Sequence, residues 1–265
     1  MGGFYVGKDP TARRERRRDE GSQEAGHMAI AAARCRAYAR EVDGRFDNRR
    51  DGGRALARAI AGLGPPADTL VLGLARGGVP VAYEVAIALG FELDVLLVRK
   101  LGVPSHPELA MGAIASGGIR VLNEDIIEEL RIPADAVERV AAEEGEELRR
   151  RETAYRDHRP AAAVAGRSVV LVDDGLATGA SMRAAIAVAR AAGAARVIVA
   201  APVAAWETCA EIEEDFAGVG CVCVATPNPF YAVGPWYREF AATADEEVRD
   251  LLVRAAERQG LRPGA

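Results

Sequence analysis

Residues 169–181 read VVLVDDGLATGAS. An apolar run ends on two adjacent acids, Asp173 and Asp174, passes a glycine, and finishes in small residues and hydroxyls. Two like charges at the end of a buried strand are costly unless a ligand meets them. Gly175 and Gly179 permit backbone geometries that a side chain forbids. Ala177, Thr178, Gly179, Ala180 and Ser181 then present successive N–H groups where a helix begins, and that end carries roughly half a positive charge. Such a helix start is a phosphate site, and Thr178 and Ser181 add hydroxyl donors. The acids would repel phosphate, so they must face another part of the ligand, one with hydroxyls or developing positive charge. A sugar phosphate meets both requirements. A P-loop would need a lysine that is absent here, and a dinucleotide fingerprint would space its glycines differently.

Other parts of the chain must position these groups. Five short apolar runs read as strands: DTLVLGLA (68–75), LDVLLVRK (93–100), VVLVDD (169–174), RVIVAAPVA (196–204) and CVCVA (221–225). Helical patterns separate them, starting with the amphipathic FDNRRDGGRALARAIAGLG (46–64), where Asp47 or Asn48 reads as the cap rather than a ligand contact. Continuous apolar strands alternating with helices predict an α/β fold, a doubly wound, mainly parallel five-stranded sheet. Such sheets bind ligands outside the carboxyl ends of their strands. Three of those ends carry unusual residues: Arg76-Gly77-Gly78, Arg99-Lys100 and Asp173-Asp174.

The alternation is interrupted over 101–165. GVPSHPEL (102–109) reads as a loop, followed by two short strands around Ser116-Gly117-Gly118 and a highly charged helix over 135–156. Gly102, Gly112, Gly117 and Gly118 would let residues 101–118 move as a lid that excludes water. His106 and Glu108 lie in this segment and could exchange a proton with an acceptor. After the last strand, residues 226–255 read as a small C-terminal hood. Tyr231, Trp236 or Tyr237 could stack there on a flat base, although packing onto the core explains them equally.

Residues 29–255 are expected to form the domain, flanked by an N-terminal extension (1–28) and a flexible tail (256–265). The extension carries arginines at 13, 14, 16, 17 and 18 in a stretch almost free of aliphatics, so it reads as disordered rather than as a nucleic-acid arm; Met28 is a second candidate start. Hydrophobic content of 49%, charged content of 28% and a net charge of −5 suit a globular protein and offer nucleic acid no electrostatic attraction. No apolar stretch reaches the ~18 residues of a membrane span, and no signal peptide is recognised. The four cysteines, Cys35, Cys209, Cys221 and Cys223, form no CxxC pair and read as buried apolar residues of a reducing cytoplasm rather than tetrahedral metal ligands.

Residues 169–181 resemble the phosphoribosyl-pyrophosphate (PRPP) signature of type I phosphoribosyltransferases: apolar strand, two acids, and a T-G-x-[ST] ending. The chain from about 46 to 250 is similar to stand-alone bacterial proteins of that family whose acceptors are mostly unassigned, through VRKLGVPSHPELAMGAI and PNPFYAVGPWYREF. The resemblance implies that Asp173 and Asp174 bind the ribose hydroxyls and that Ala177 to Ser181 hold the 5′-phosphate. It places Arg76, Gly77 and Gly78 on the diphosphate, with Arg99 and Lys100 beside the catalytic loop. It also implies PRPP as its magnesium complex, with the metal held mainly by ligand oxygens, and an acceptor base; a homodimer is common in the superfamily, although the sequence is silent on oligomeric state. A PRPP- or nucleotide-sensing regulator and a PRPP-hydrolysing enzyme are the alternative functions.

Overall fold

Alternation between buried aliphatics and helix-forming stretches determines the element order. The computed structural model describes residues 45–156, 159–258 and 260; the expectations for residues 1–28, Met28 and Cys35 lie outside them. The elements are α1 (Arg49–Ala61), β1 (Leu70–Leu74), α2 (Gly78–Leu89), β2 (Glu92–Leu96), β3 (Val98–Val103), β4 (His106–Ala115), β5 (Ile119–Leu122), α3 (Glu124–Glu129) and α4 (Ala134–Arg156). They continue with β6 (Ser168–Val172), α5 (Ala180–Ala191), β7 (Arg196–Val203), α6 (Trp206–Asp215), β8 (Gly220–Ala225) and α7 (Asp245–Arg258). Asn48 caps α1, its side chain accepting from the Asp51 N–H at 3.1 Å.

Five strands pair in the order β2-β1-β6-β7-β8, every pair parallel. Their side chains alternate between two cores. Val71, Val170, Ile198 and Val222 pack with Leu56, Val85 and Leu251 of α1, α2 and α7. Leu70, Leu72, Val169 and Leu171 pack with Met182, Ile186 and Ile212 of α5 and α6. Burial on both faces is why these strands read as unbroken apolar runs. After β1 the chain adds β2 on one side and β6 on the other, so the order reverses between β1 and β6. Ligands of open α/β sheets bind at that reversal, and here it receives Arg76-Gly77-Gly78 from one strand and Asp173-Asp174 from the other.

The second strand is shorter than expected. It ends at Leu96, and Arg99 and Lys100 belong to β3, part of a separate antiparallel sheet of order β3-β4-β5. The 102–109 segment is not a loop but the tip of the β3–β4 hairpin. Leu101, Val103 and Met111 alternate onto Val137 and Ala141 of α4, forming a small core of their own. Irregular register on either side of Gly102 accommodates Pro107 within β4, as bulges do. A Cβ on Gly102 would lie 2.7 Å from the Pro107 carbonyl oxygen, so this glycine serves close strand approach rather than hinge motion. Two helices, α3 and α7, were not expected, and residues 256–258, expected in the tail, belong to α7, where Ala256 is buried.

Candidate active site

Where β6 ends, Asp173 N–H donates to the Ala200 carbonyl, and the chain turns away from the sheet. Leu176 anchors the turn: it is buried, its N–H donates to Val203 O at 3.0 Å, and its carbonyl accepts from the Ala205 N–H at 2.9 Å. Thr208 of α6 donates its hydroxyl to the Ala177 carbonyl. Beyond this support Ala177, Thr178, Ala180 and Ser181 are exposed, and Gly179 opens α5 at a left-handed φ of 68°. A Cβ on Gly179 would meet the Thr208 methyl at 2.7 Å. The first-turn N–H groups of α5 have no intrahelical acceptor. The result is an outward-facing ring of amides and hydroxyls at a positive helix end, the arrangement that takes a phosphate.

The turn after β1 packs directly on the acid pair. A Cβ on Gly77 would lie 2.1 Å from Asp174 Oδ2, and one on Gly78 would lie 2.4 Å from the Val172 carbonyl oxygen. Residues 76–78 and 173–181, far apart in sequence, therefore form one surface. The Ala75–Arg76 peptide is cis. The Arg76 guanidinium is half exposed, 3.5 Å from Asp245 at the start of α7.

The two acids have different surroundings. Asp173 accepts from the Asp174 N–H at 2.9 Å, and burial, followed by the charge of Asp174, pushes its carboxyl up to about 8. Asp174 pairs with Arg49, whose Nε lies 2.8 Å from Oδ2. The same guanidinium donates through Nη1 to the Ala241 carbonyl at 2.6 Å and sits 3.9 Å over the Phe240 ring. Tyr237 donates its hydroxyl to the Asp174 carbonyl; burial and then the negative charge of Asp174 push that phenol up. Val233 covers Gly175, where a Cβ would find it at 2.5 Å. The C-terminal segment thus closes over the acid–glycine turn.

A family model described as Phosphoribosyl transferase domain matches residues 46–225. The chain belongs to this family. Two relatives from Mycobacterium tuberculosis strains H37Rv and CDC 1551, each named "Putative phosphoribosyl transferase", are 49% identical over 212 residues, 79% of this chain. The chain spans about half the length of these curated relatives, 47%. The crystal structure of TT1426 from Thermus thermophilus is 48% identical, covers 79% of this chain and 98% of its own, and superposes with a TM-score of 0.71.

Within this phosphoribosyltransferase fold the remaining candidates are dispersed. Arg99 pairs with Glu144 of α4, and Lys100 is exposed on β3. His106 is exposed at the hairpin tip, and Glu108 follows on β4. Tyr231 is 87% exposed, whereas Trp236 packs with Phe46, Tyr237 and Phe240 in a satellite cluster. Arg49 and Phe240 are the site neighbours that sequence reasoning missed, while Tyr237, a candidate for stacking on a base, instead donates to the Asp174 carbonyl. One signal existed for the first: arginine in the opening turn of a helix opposes the helix dipole and asks for an acidic partner.

Proposed function

We propose that the protein transfers the 5-phosphoribosyl group of PRPP to a nitrogenous acceptor with release of diphosphate. One observation carries this reading: the phosphate cradle of residues 177–181, the acid pair, and the Arg76-Gly77-Gly78 turn share one surface at the sheet reversal. Amides and hydroxyls from Ala177 to Ser181 would hold the 5′-phosphate. Asp173 and Asp174 would accept hydrogen bonds from the ribose hydroxyls and face the ring. When the bond from C1 to diphosphate breaks, its electrons leave with the diphosphate oxygen and positive charge develops on the ring. The paired carboxylates stabilise that charge. Arg76 and the amides of Gly77 and Gly78 would receive the growing negative charge of the diphosphate, and the acceptor nitrogen would complete the new bond to C1.

The donor set fits magnesium. The acid pair offers carboxylate oxygens beside one guanidinium, that of Arg49; an arriving hard cation would ionise Asp173, and its ligands would be mainly PRPP oxygens and water. Magnesium would neutralise the diphosphate as it departs. Among the described residues no helix is long and apolar enough to cross a membrane, and a cytoplasmic enzyme with a small-molecule acceptor is the proposed setting.

The test is incubation with magnesium and PRPP against a panel of bases while following diphosphate and nucleotide. The double change Asp173→Asn, Asp174→Asn should lower turnover by at least about 100-fold with the fold intact. PRPP binding without turnover on any base would favour a sensor, ribose 5-phosphate as the sole product would favour hydrolysis, and absence of PRPP binding would defeat all three readings.

A further inference from the structure

Strand β8 is the outer strand of the parallel sheet, and its alternation places Cys221 and Cys223 on one face. Helix α6 covers that face and brings a third thiol, Cys209, onto the pair. The Cys209 and Cys223 sulfurs are 3.3 Å apart, those of Cys221 and Cys223 are 4.0 Å apart, and all three lie within 4.8 Å of one another. Each residue is buried, at 1%, 4% and 0% exposure. Among the described residues no other group of three histidine, cysteine or acidic side chains converges its ligand atoms in this way.

We propose that Cys209, Cys221 and Cys223 form a binding site for a single soft metal ion, with monovalent copper as the best chemical match. A metal–sulfur bond of about 2.3 Å places the sulfurs of a trigonal site about 4 Å apart. Two separations, 3.3 and 4.0 Å, lie at or below that value and the third is within 4.8 Å, so modest rotamer adjustment suffices. Thiolates select soft ions such as Cu(I) and also take Zn(II). Structural zinc asks for a fourth ligand, and this cluster lies among aliphatics that include Val199, Ile212 and Val219. Cu(I) is satisfied by two or three sulfurs. Two thiols would each lose a proton to solvent as a copper–sulfur bond forms, and the third would donate as a neutral thiol. The site then carries one net negative charge, less costly in an apolar core than the two negative charges of a full trithiolate.

Only two of the three ligands share a sequence motif, so C-x-C alone read as packing. The third arrives through the fold, one residue after Thr208, whose hydroxyl supports the Ala177 carbonyl. A bound ion would fasten α6 to the sheet edge behind the phosphate cradle, independently of what the cradle binds.

The experiment uses the full chain with Cys35→Ser, which removes the one remaining cysteine. Reduced protein is titrated anaerobically with Cu(I) held by bathocuproine disulfonate. The expected result is one ion captured per chain, with X-ray absorption showing two or three sulfurs at about 2.3 Å. Cys209→Ala and Cys223→Ala should each weaken capture by at least about 100-fold, no less than loss of an outer-shell partner costs. Since these variants could misfold, melting of the Cys35→Ser protein with and without Cu(I) provides a second readout, expected to rise with the ion. Failure of that folded protein to take copper from the chelator, an unchanged melting temperature, or undiminished capture by folded alanine variants would overturn the proposal.

Discussion

Arg49 occupies the point where the C-terminal segment meets the acid pair. One guanidinium binds a carboxylate, a main-chain carbonyl and an aromatic face, so its removal strips Asp174 of its partner. Arg49→Met should destabilise the protein by about 2 kcal/mol, less than the loss of a wholly buried partner because both side chains keep some contact with water. A double-mutant cycle with Asp174→Asn should give a coupling above about 1 kcal/mol by chemical denaturation. Asp173 makes a prediction of the opposite character. Its folded carboxyl holds a proton up to about 8, far above the value of 3.8 for a free side chain. Stability that the protonated group contributes is fully present below the unfolded value and is lost as pH rises through the folded one. Wild type should therefore lose ground to Asp173→Asn between pH 5 and 8, by more than about 1 kcal/mol, read as several degrees of melting temperature. A constant difference across that range would contradict it. The strand-to-helix turn that carries Asp173, Asp174 and residues 177–181 was legible because strand, charge pair and glycine spacing are local. The partners from residues 49, 237 and 240 were not, since each comes from an element distant in sequence.

Among the elements, the β1–α2 turn has the least freedom. Gly78→Ala would press a methyl group against the Val172 carbonyl, whose backbone has little room to yield. A cost of about 1–3 kcal/mol is expected, with loss of PRPP affinity exceeding the loss of stability. The insertion should respond separately, because its hairpin and α4 share a core distinct from those flanking the parallel sheet. Met111→Ala should remove about 2–4 kcal/mol from that unit, with hydrogen exchange accelerating in β3–β5 more than in β1 and β6. The five parallel strands could be recognised from their unbroken aliphatic runs. The run 93–100 was misjudged because it crosses from one sheet to another: both neighbourhoods are apolar, and only pairing distinguishes Leu96 from Val98. The prolines of 104 and 107 disguised a hairpin for a related reason, since a bulge absorbs what a regular strand would reject.

Across the whole molecule, the insertion and the parallel sheet are joined by a buried ion pair. Arg156, closing α4, donates through Nε to Asp94 of β2 at 3.1 Å and through Nη2 to the Val95 carbonyl, while Asp94 also accepts from the Ala162 N–H. Asp94→Asn leaves the buried guanidinium with Glu152 as its remaining carboxylate partner and should cost about 2 kcal/mol in denaturant unfolding. Arg156 was not distinguishable in sequence from the charged surroundings of α4, because burial depends on how two distant segments dock. The opposite end of the described chain has a comparable junction, where Phe46 bridges to Tyr237 and Arg49 reaches Ala241. During synthesis, residues 70–181 could emerge and pair β1 with β6 well before residues 237–241 leave the ribosome. Until then Asp174 lacks its tyrosine, and Arg49, already translated, lacks the Ala241 carbonyl and the Phe240 ring that hold it. The nascent polypeptide would thus carry the proposed phosphate cradle before it carries a finished sugar pocket, and maturation of the site would wait on residues 237–241.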